Sequence, residues 1–231
     1  GALGKSVRSC MTSPDRSGVT ACDFSQVELR VAASFAGEEV LLRAFHSGED
    51  PHTEVAAKML GKKPTDITPD ERFKAKAVNF GILNGMGAKR LAIELKSSYD
   101  EAKQFLYEYK KNLPSLNEWM EGVWREAEAY GLARTISGRT RPFLADEETR
   151  SAISVVVQGS AAELMRHALV AVAEEGLNPL LSVHDEVLIG GVEQGEKLRE
   201  IMESAANNAY DAFNNITFPA SANAGETWGD V

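Results

Sequence analysis

The segment Thr68-Pro-Asp-Glu-Arg-Phe-Lys-Ala-Lys-Ala-Val-Asn-Phe-Gly-Ile-Leu-Asn84 constrains this chain more than any other. Thr68 is placed as an N-cap, Pro69 suits a first turn whose amide has no helical partner, and Glu71 completes a capping box. The spacing predicts a helix from Pro69 onward. At about 100° per residue, Arg72, Lys76 and Asn79 fall on one line, with Phe80 at its edge and Phe73, Ala77 and Asn84 on the adjoining stripe. One face thus offers two cations and then an aromatic ring. Arginine is a planar fork for phosphate oxygens and lysine a compact charge, so such a face suits a nucleoside triphosphate laid lengthwise. The spacing alone fits equally well an amphipathic helix whose Arg and Lys are only solvated, and other stretches must decide.

With 231 residues, 43% apolar and 26% charged, the chain has the make-up of a globular protein of one large or two modest domains. No basic-then-apolar leader and no apolar run near 18 residues stands out, and Cys10 and Cys22 are the only cysteines. The expectation is a cytoplasmic protein without a disulfide framework. A net charge of -9 is awkward for a nucleic-acid binder, but the charge is uneven: Gly61 to Arg90 holds seven basic residues against three acidic ones. Acid gathers instead at Glu38-Glu39, Asp146-Glu147-Glu148 and after Glu174.

In chain order, residues 1–18 read as an irregular lead-in with one short strand around Val7 to Met11. Val19 to Asp23 is β-prone and ends in a carboxylate, and helical patterns follow at Gln26 to Ala36, Glu38 to His46 and Asp50 to Leu60. His52, near a helix start, reads as surface decoration. Beyond the central helix, Gly85-Met-Gly87 breaks the chain, and helices are expected at Ala88 to Leu95, Tyr99 to Lys111 and Ser115 to Tyr130. Leu132 to Ile136 and Arg139 to Phe143 flank Ser137-Gly138 as a hairpin with two arginines on its return limb. Glu147 to Glu174 is helical in pattern, with an irregularity expected at Gln158-Gly159-Ser160, where something needs close approach. Leu180 to Ile189 reads as a tight hairpin carrying His184, Asp185 and Glu186 at its tip. A long helix from Glu193 to Ile216 and a strand within Phe218 to Trp228 complete an α+β pattern: an antiparallel sheet, flanking helices and a large helical insertion.

Asp23-Phe-Ser-Gln-Val-Glu-Leu-Arg30 resembles the first polymerase motif of family A DNA polymerases, the group of bacterial DNA polymerase I. Arg72, Lys76, Phe80 and Gly81 match the second motif and Val183-His-Asp-Glu186 the third; Gly138-Arg139 and Gln158 to Met165 are similar to stretches between them. Three long motifs in the right order are far more specific than one. The resemblance implies a palm from residues 1–30 and 131–231 and fingers from 31–130. It implies template-directed transfer of a deoxynucleotide to a primer 3′-hydroxyl, with two Mg²⁺ ions, or Mn²⁺, held by Asp23 and Asp185 and with Glu186 as an auxiliary carboxylate. By the same resemblance Gln26, Glu28, His52, Arg72, Lys76 and Phe80 bind the nucleotide: Arg72 and His52 its phosphates, Lys76 the leaving group, Phe80 the nucleotide itself. Glu28 excludes a 2′-hydroxyl. His184, Gln158, Arg139 and Arg141 contact primer and template.

Two departures accompany it. Asn84 stands where the family usually has a tyrosine that occupies the template-base position, which bears on fidelity. The matched stretch carries no thumb or exonuclease region, so the expectation is a minimal or split core, of phage origin, that has low processivity alone or takes its grip from a second polypeptide. The rival expectation is a noncatalytic protein that keeps the fold to bind nucleic acid, nucleotide or a partner protein.

Overall fold

The structure is a computed structural model and describes residues 2–144 and 149–231. In order, it runs through α1 (Ala2–Arg8), β1 (Val19–Phe24), α2 (Val27–Ala36), α3 (Glu39–Ser47), α4 (Pro51–Leu60), α5 (Pro69–Leu83), α6 (Ala88–Leu95), α7 (Tyr99–Asn112) and α8 (Pro114–Tyr130). Then come β2 (Leu132–Arg134), β3 (Thr140–Pro142), α9 (Ala152–Glu174), β4 (Pro179–Val183), β5 (Glu186–Gly190), α10 (Gly195–Asn207) and β6 (Ala220–Gly225). Packing divides the chain into a sheet unit (residues 1–27, 161–211 and 218–231) and a helical unit (28–160 and 212–217). The helical unit begins at Glu28, just after β1, and includes the β2–β3 hairpin.

The sheet unit carries a four-stranded sheet in the order β4-β5-β1-β6, and every pairing is antiparallel. This is the antiparallel α+β architecture expected. Alternation along β1 explains it: Val19 and Ala21 face Leu188 and Trp228 on one side, while Thr20, Cys22 and Phe24 are buried on the other, where α10 lies against β1 and β6. The α10 helix stops at Asn207, well short of Ile216. Asn207 Oδ1 accepts the Phe218 amide at 2.7 Å and Glu203 Oε1 the Ala220 amide at 2.9 Å, so side chains at the end of the helix hold the chain as it enters β6. Residues 2–8 form α1 rather than the strand expected near Val7. Leu3 and Val7 are exposed, so α1 has no apolar period to read; Arg8 over the Trp228 ring and the Trp228 amide on the Met11 carbonyl anchor this segment instead.

In the helical unit, start signals decide the helices. Asp50 caps α4 by accepting the Thr53 amide at 2.8 Å, capping boxes form at Thr68–Glu71 and Ser98–Glu101, and Pro51, Pro69 and Pro114 occupy first turns. Pro114 is itself the first residue of α8. The expected onset of α9 at Glu147 lies outside the described residues, as does the acidic run at 146–148; among the described residues a 3₁₀ turn at Thr149–Ser151 leads into the helix. No irregularity interrupts α9. The close approach is nevertheless there: a Cβ on Gly159 would lie 2.4 Å from Thr135 Cγ2, and Ser160 Oγ accepts the Ile136 amide at 3.0 Å. Glycine keeps the helix regular and lets the hairpin close on it. By length and composition alone α9 is long and apolar enough to cross a membrane, although Gln158, Glu163 and Arg166 interrupt its apolar residues. Its Ile153, Val157, Leu164, Ala168 and Val172 are all buried, as in a core helix.

Candidate active site

In the sheet unit, register brings the acidic residues to one end of β1 and β5. Asp23 is the cross-strand partner of Glu186, and the Phe24 amide donates to the Asp185 carbonyl at 3.1 Å. His184 and Asp185 form the two-residue connection between β4 and β5, with His184 at φ 55°. Such connections require a left-handed residue, and histidine tolerates it better than a β-branched side chain. Asp23 Oδ1 accepts from Ser221 Oγ on β6 at 3.0 Å, and Glu186 Oε1 accepts from Trp228 Nε1. Burial pushes the half-buried Asp185 carboxyl above the ordinary range; the Asp23 charge adds to that, while hydrogen bonding to the Asp185 backbone and the nearby His184 oppose it. Crowded, partly desolvated carboxylates of this kind fit a hard divalent cation. Among the described residues no group of three or more His, Cys, Asp or Glu side chains is arranged to hold a metal, and Asp23 and Asp185 are the carboxylates here that could share one. Gln26, at φ 54° just before α2, buries its Oε1 with no hydrogen-bond partner among the described residues.

In the helical unit, α5 does not keep one uniform face. Arg72 and Lys76 are exposed, but Asn79 on the same line is only 1% exposed, because the later turns of α5 are enclosed by neighbouring helices. Arg72 makes a two-pronged pair with Asp50, Nε to Oδ2 at 2.8 Å and Nη2 to Oδ1 at 2.9 Å. Burial would raise the Asp50 carboxyl, yet the donors from Arg72 and Thr53 hold it down at about 2. Lys76 Nζ lies 5.8 Å from the Phe80 ring centre, and that ring lies 5.6 Å from the His52 ring.

His52 is 2% exposed, not surface decoration. Its Nδ1 meets Asn79 Nδ2 at 2.8 Å, and Asn79 Oδ1 accepts from the buried Tyr109 hydroxyl at 2.7 Å. Burial, reinforced by the Arg72 and Lys76 charges and opposed by Asp50, lowers His52 to about 4 from its usual 6.5. The depressed value means that the folded state resists protonation between these two values, so stability is fully present above pH 6.5 and declines as the pH falls toward 4. At 1.36 kcal/mol per unit, about 2–3 kcal/mol should be lost between pH 7 and 4.5. Urea unfolding at both pH values should find a shallower loss in His52→Gln; equal slopes would rule the assignment out.

At the end of α5, Asn84 donates to the Phe80 carbonyl at 2.8 Å and accepts from Gln158 Nε2 at 2.9 Å. Two of the expected template-contacting residues therefore meet each other. Arg141 stacks over Phe143, Arg139 is exposed near Gly159, and Glu28 is half-buried in the first turn of α2. Sequence reasoning passed over Asp50, Tyr109, Ser221 and Trp228. Asp50-Pro51 gave a cap signal; the other three have no local signature, since each acts on a residue distant in the chain.

The family model for DNA polymerase family A matches residues 1–230. The chain belongs to that family. DNA polymerase I from Thermus filiformis is 37% identical to this family A chain over 90% of it and 27% of the relative. The Thermus aquaticus enzyme is 34% identical over 98% of the chain and 29% of the relative. DNA polymerase I of Borreliella burgdorferi is 32% identical over 99% and 27%. The chain thus spans under a third of the length of these relatives. The polymerase domain of Pol1 from M. smegmatis, solved with a DNA primer-template and dNTP, superposes with a TM-score of 0.84 at 26% identity, covering all of this chain and 43% of that one. The family and the fold agree with the resemblance drawn from the sequence.

Proposed function

We propose that the chain is the nucleotidyl-transfer core of a template-directed DNA polymerase, adding a deoxynucleoside monophosphate to a primer 3′-hydroxyl. The observation that carries this reading is the strand pairing that sets Asp23 across from Glu186 and beside the turn holding Asp185. The mycobacterial relative bound primer-template DNA and dNTP, which supports the same ligands here. The sheet unit is read as the palm and the helical unit as most of the fingers. Two Mg²⁺ ions, or Mn²⁺, on Asp23 and Asp185 would supply positive charge to the attacking hydroxyl and the leaving pyrophosphate.

The remaining roles fall to side chains. Arg72 offers phosphate oxygens the same fork that Asp50 now occupies, so triphosphate binding displaces that carboxylate. Lys76 neutralises or protonates the leaving group, and Phe80 packs on the nucleotide. His52, with Nδ1 taken by Asn79, keeps an uncharged Nε2–H for a phosphate oxygen, which reaches it only after a local rearrangement. The orphaned Gln26 Oε1 accepts from the bound nucleotide, and Glu28 screens its 2′ position. His184, Gln158, Asn84, Arg139 and Arg141 contact primer and template.

A labelled primer-template mixed with a large excess of the chain, Mg²⁺ and single dNTPs tests the reading. The excess offsets the weak duplex affinity that a net charge of -9 implies. One nucleotide should be added, and only from the dNTP complementary to the template. DNA binding with no addition would replace this reading by the noncatalytic one.

A further inference from the structure

We propose that Trp228 is a positioning residue: its indole N–H holds the Glu186 carboxylate apart, so that Asp23 and Asp185 alone form the cation-binding pair. The proposal deepens the polymerase reading and rests on it for the identity of that pair. Three carboxylates converge at one end of β1 and β5, because Glu186 lies directly across from Asp23 and next to Asp185 in the chain. A third carboxylate free to join a divalent ion would add charge and draw the ion from the position the aspartates set.

Glu186 has a partner of its own. Indole nitrogen is a donor only, so a carboxylate oxygen suits it, and Trp228 Nε1 donates to Glu186 Oε1. The indole has little freedom to let go. It is 7% exposed, packs with Val19, Ala21 and Leu188, and carries the Arg8 guanidinium 4.4 Å above its ring. Its backbone amide donates to the Met11 carbonyl at 2.8 Å, and Thr12 Oγ1 donates to the Glu226 carbonyl at 2.7 Å. Thr227 and Asp230 shape the turn that presents it, with Thr227 Oγ1 donating to Asp230 Oδ2 at 2.7 Å. Asp23 also has one oxygen engaged, Oδ1 by the Ser221 hydroxyl, but that donor sits on an exposed side chain, whereas the indole that engages Glu186 is buried.

Titrating Mn²⁺ into the full chain without DNA or nucleotide tests this independently of polymerase activity. Trp228→Phe keeps the ring and removes the N–H, so the released Glu186 should tighten Mn²⁺ binding at least threefold. Adding Glu186→Gln to that variant should restore the starting affinity. Single-nucleotide addition by Trp228→Phe should slow at least threefold with the dNTP KM changed less than twofold. A purely structural tryptophan would lower the melting temperature and leave Mn²⁺ affinity alone, and that result overturns the proposal. Should Trp228→Phe fail to fold, Glu186→Gln in the unaltered background decides: affinity within twofold supports a parked carboxylate, whereas a loss beyond threefold makes Glu186 a ligand and overturns it. If the chain adds no nucleotide but Mn²⁺ binding shifts as described, the polymerase reading fails and the positioning role stands.

Discussion

Asp185→Ala is expected to slow single-nucleotide addition at least about a thousandfold, equivalent to about 4 kcal/mol at 1.36 kcal/mol per factor of ten, while the melting temperature holds or rises. The two effects have one origin. Asp185 sits in the β4–β5 connection, where burial and the Asp23 charge both disfavour its ionised form. Folding therefore works against this carboxylate, and alanine removes the conflict while the Phe24 amide keeps its bond to the residue 185 carbonyl. On the polymerase reading, activity needs the charge that stability does not, since one remaining carboxylate would hold a weakly bound ion poorly. Rapid-quench primer extension and thermal unfolding of the same preparation check both halves. A variant that keeps activity within tenfold would remove Asp185 from the chemistry. One that loses activity only because it melts would show a lowered transition instead.

What the sequence made legible follows from the range of the interactions involved. Helix starts at Asp50, Thr68 and Pro114 depend on residues within one turn, so α4, α5 and α8 are readable from their own letters. The β4–β5 hairpin is readable too, because two apolar runs flank a turn-forming pair. The failures are long-range. Nothing near Val7 announces that α1 is anchored by Trp228, and nothing near Asn207 announces that its side chain waits for the Phe218 amide. Helical periodicity put Asn79 beside Arg72 correctly in azimuth but could not tell that neighbouring helices enclose that part of α5. The acidic residues of the site came from resemblance; pattern alone offered a helix cap for Asp23 and a turn former for Asp185. Strand order turns those two modest readings into one cluster.

The second large effect is expected in the helical unit, where Asn79→Ala should destabilise the chain by about 4 kcal/mol. Asn79 is 1% exposed and satisfies two buried groups at once, the Tyr109 hydroxyl through Oδ1 and His52 Nδ1 through Nδ2. Its removal strands both, at about 1–3 kcal/mol each, and leaves a small void beside them. Tyr109→Phe removes one member and strands only Asn79 Oδ1, so about 1–2 kcal/mol is expected. The double variant should cost less than the two singles combined, by at least about 1 kcal/mol, because without its hydroxyl position 109 no longer suffers from the loss of Asn79. Urea unfolding at pH 7.5, above the titration of His52, isolates this hydrogen-bond effect from the protonation effect. Additive costs would mean that Tyr109 and Asn79 act separately; a shortfall of the stated size means that helices α5 and α7 are joined through this buried pair.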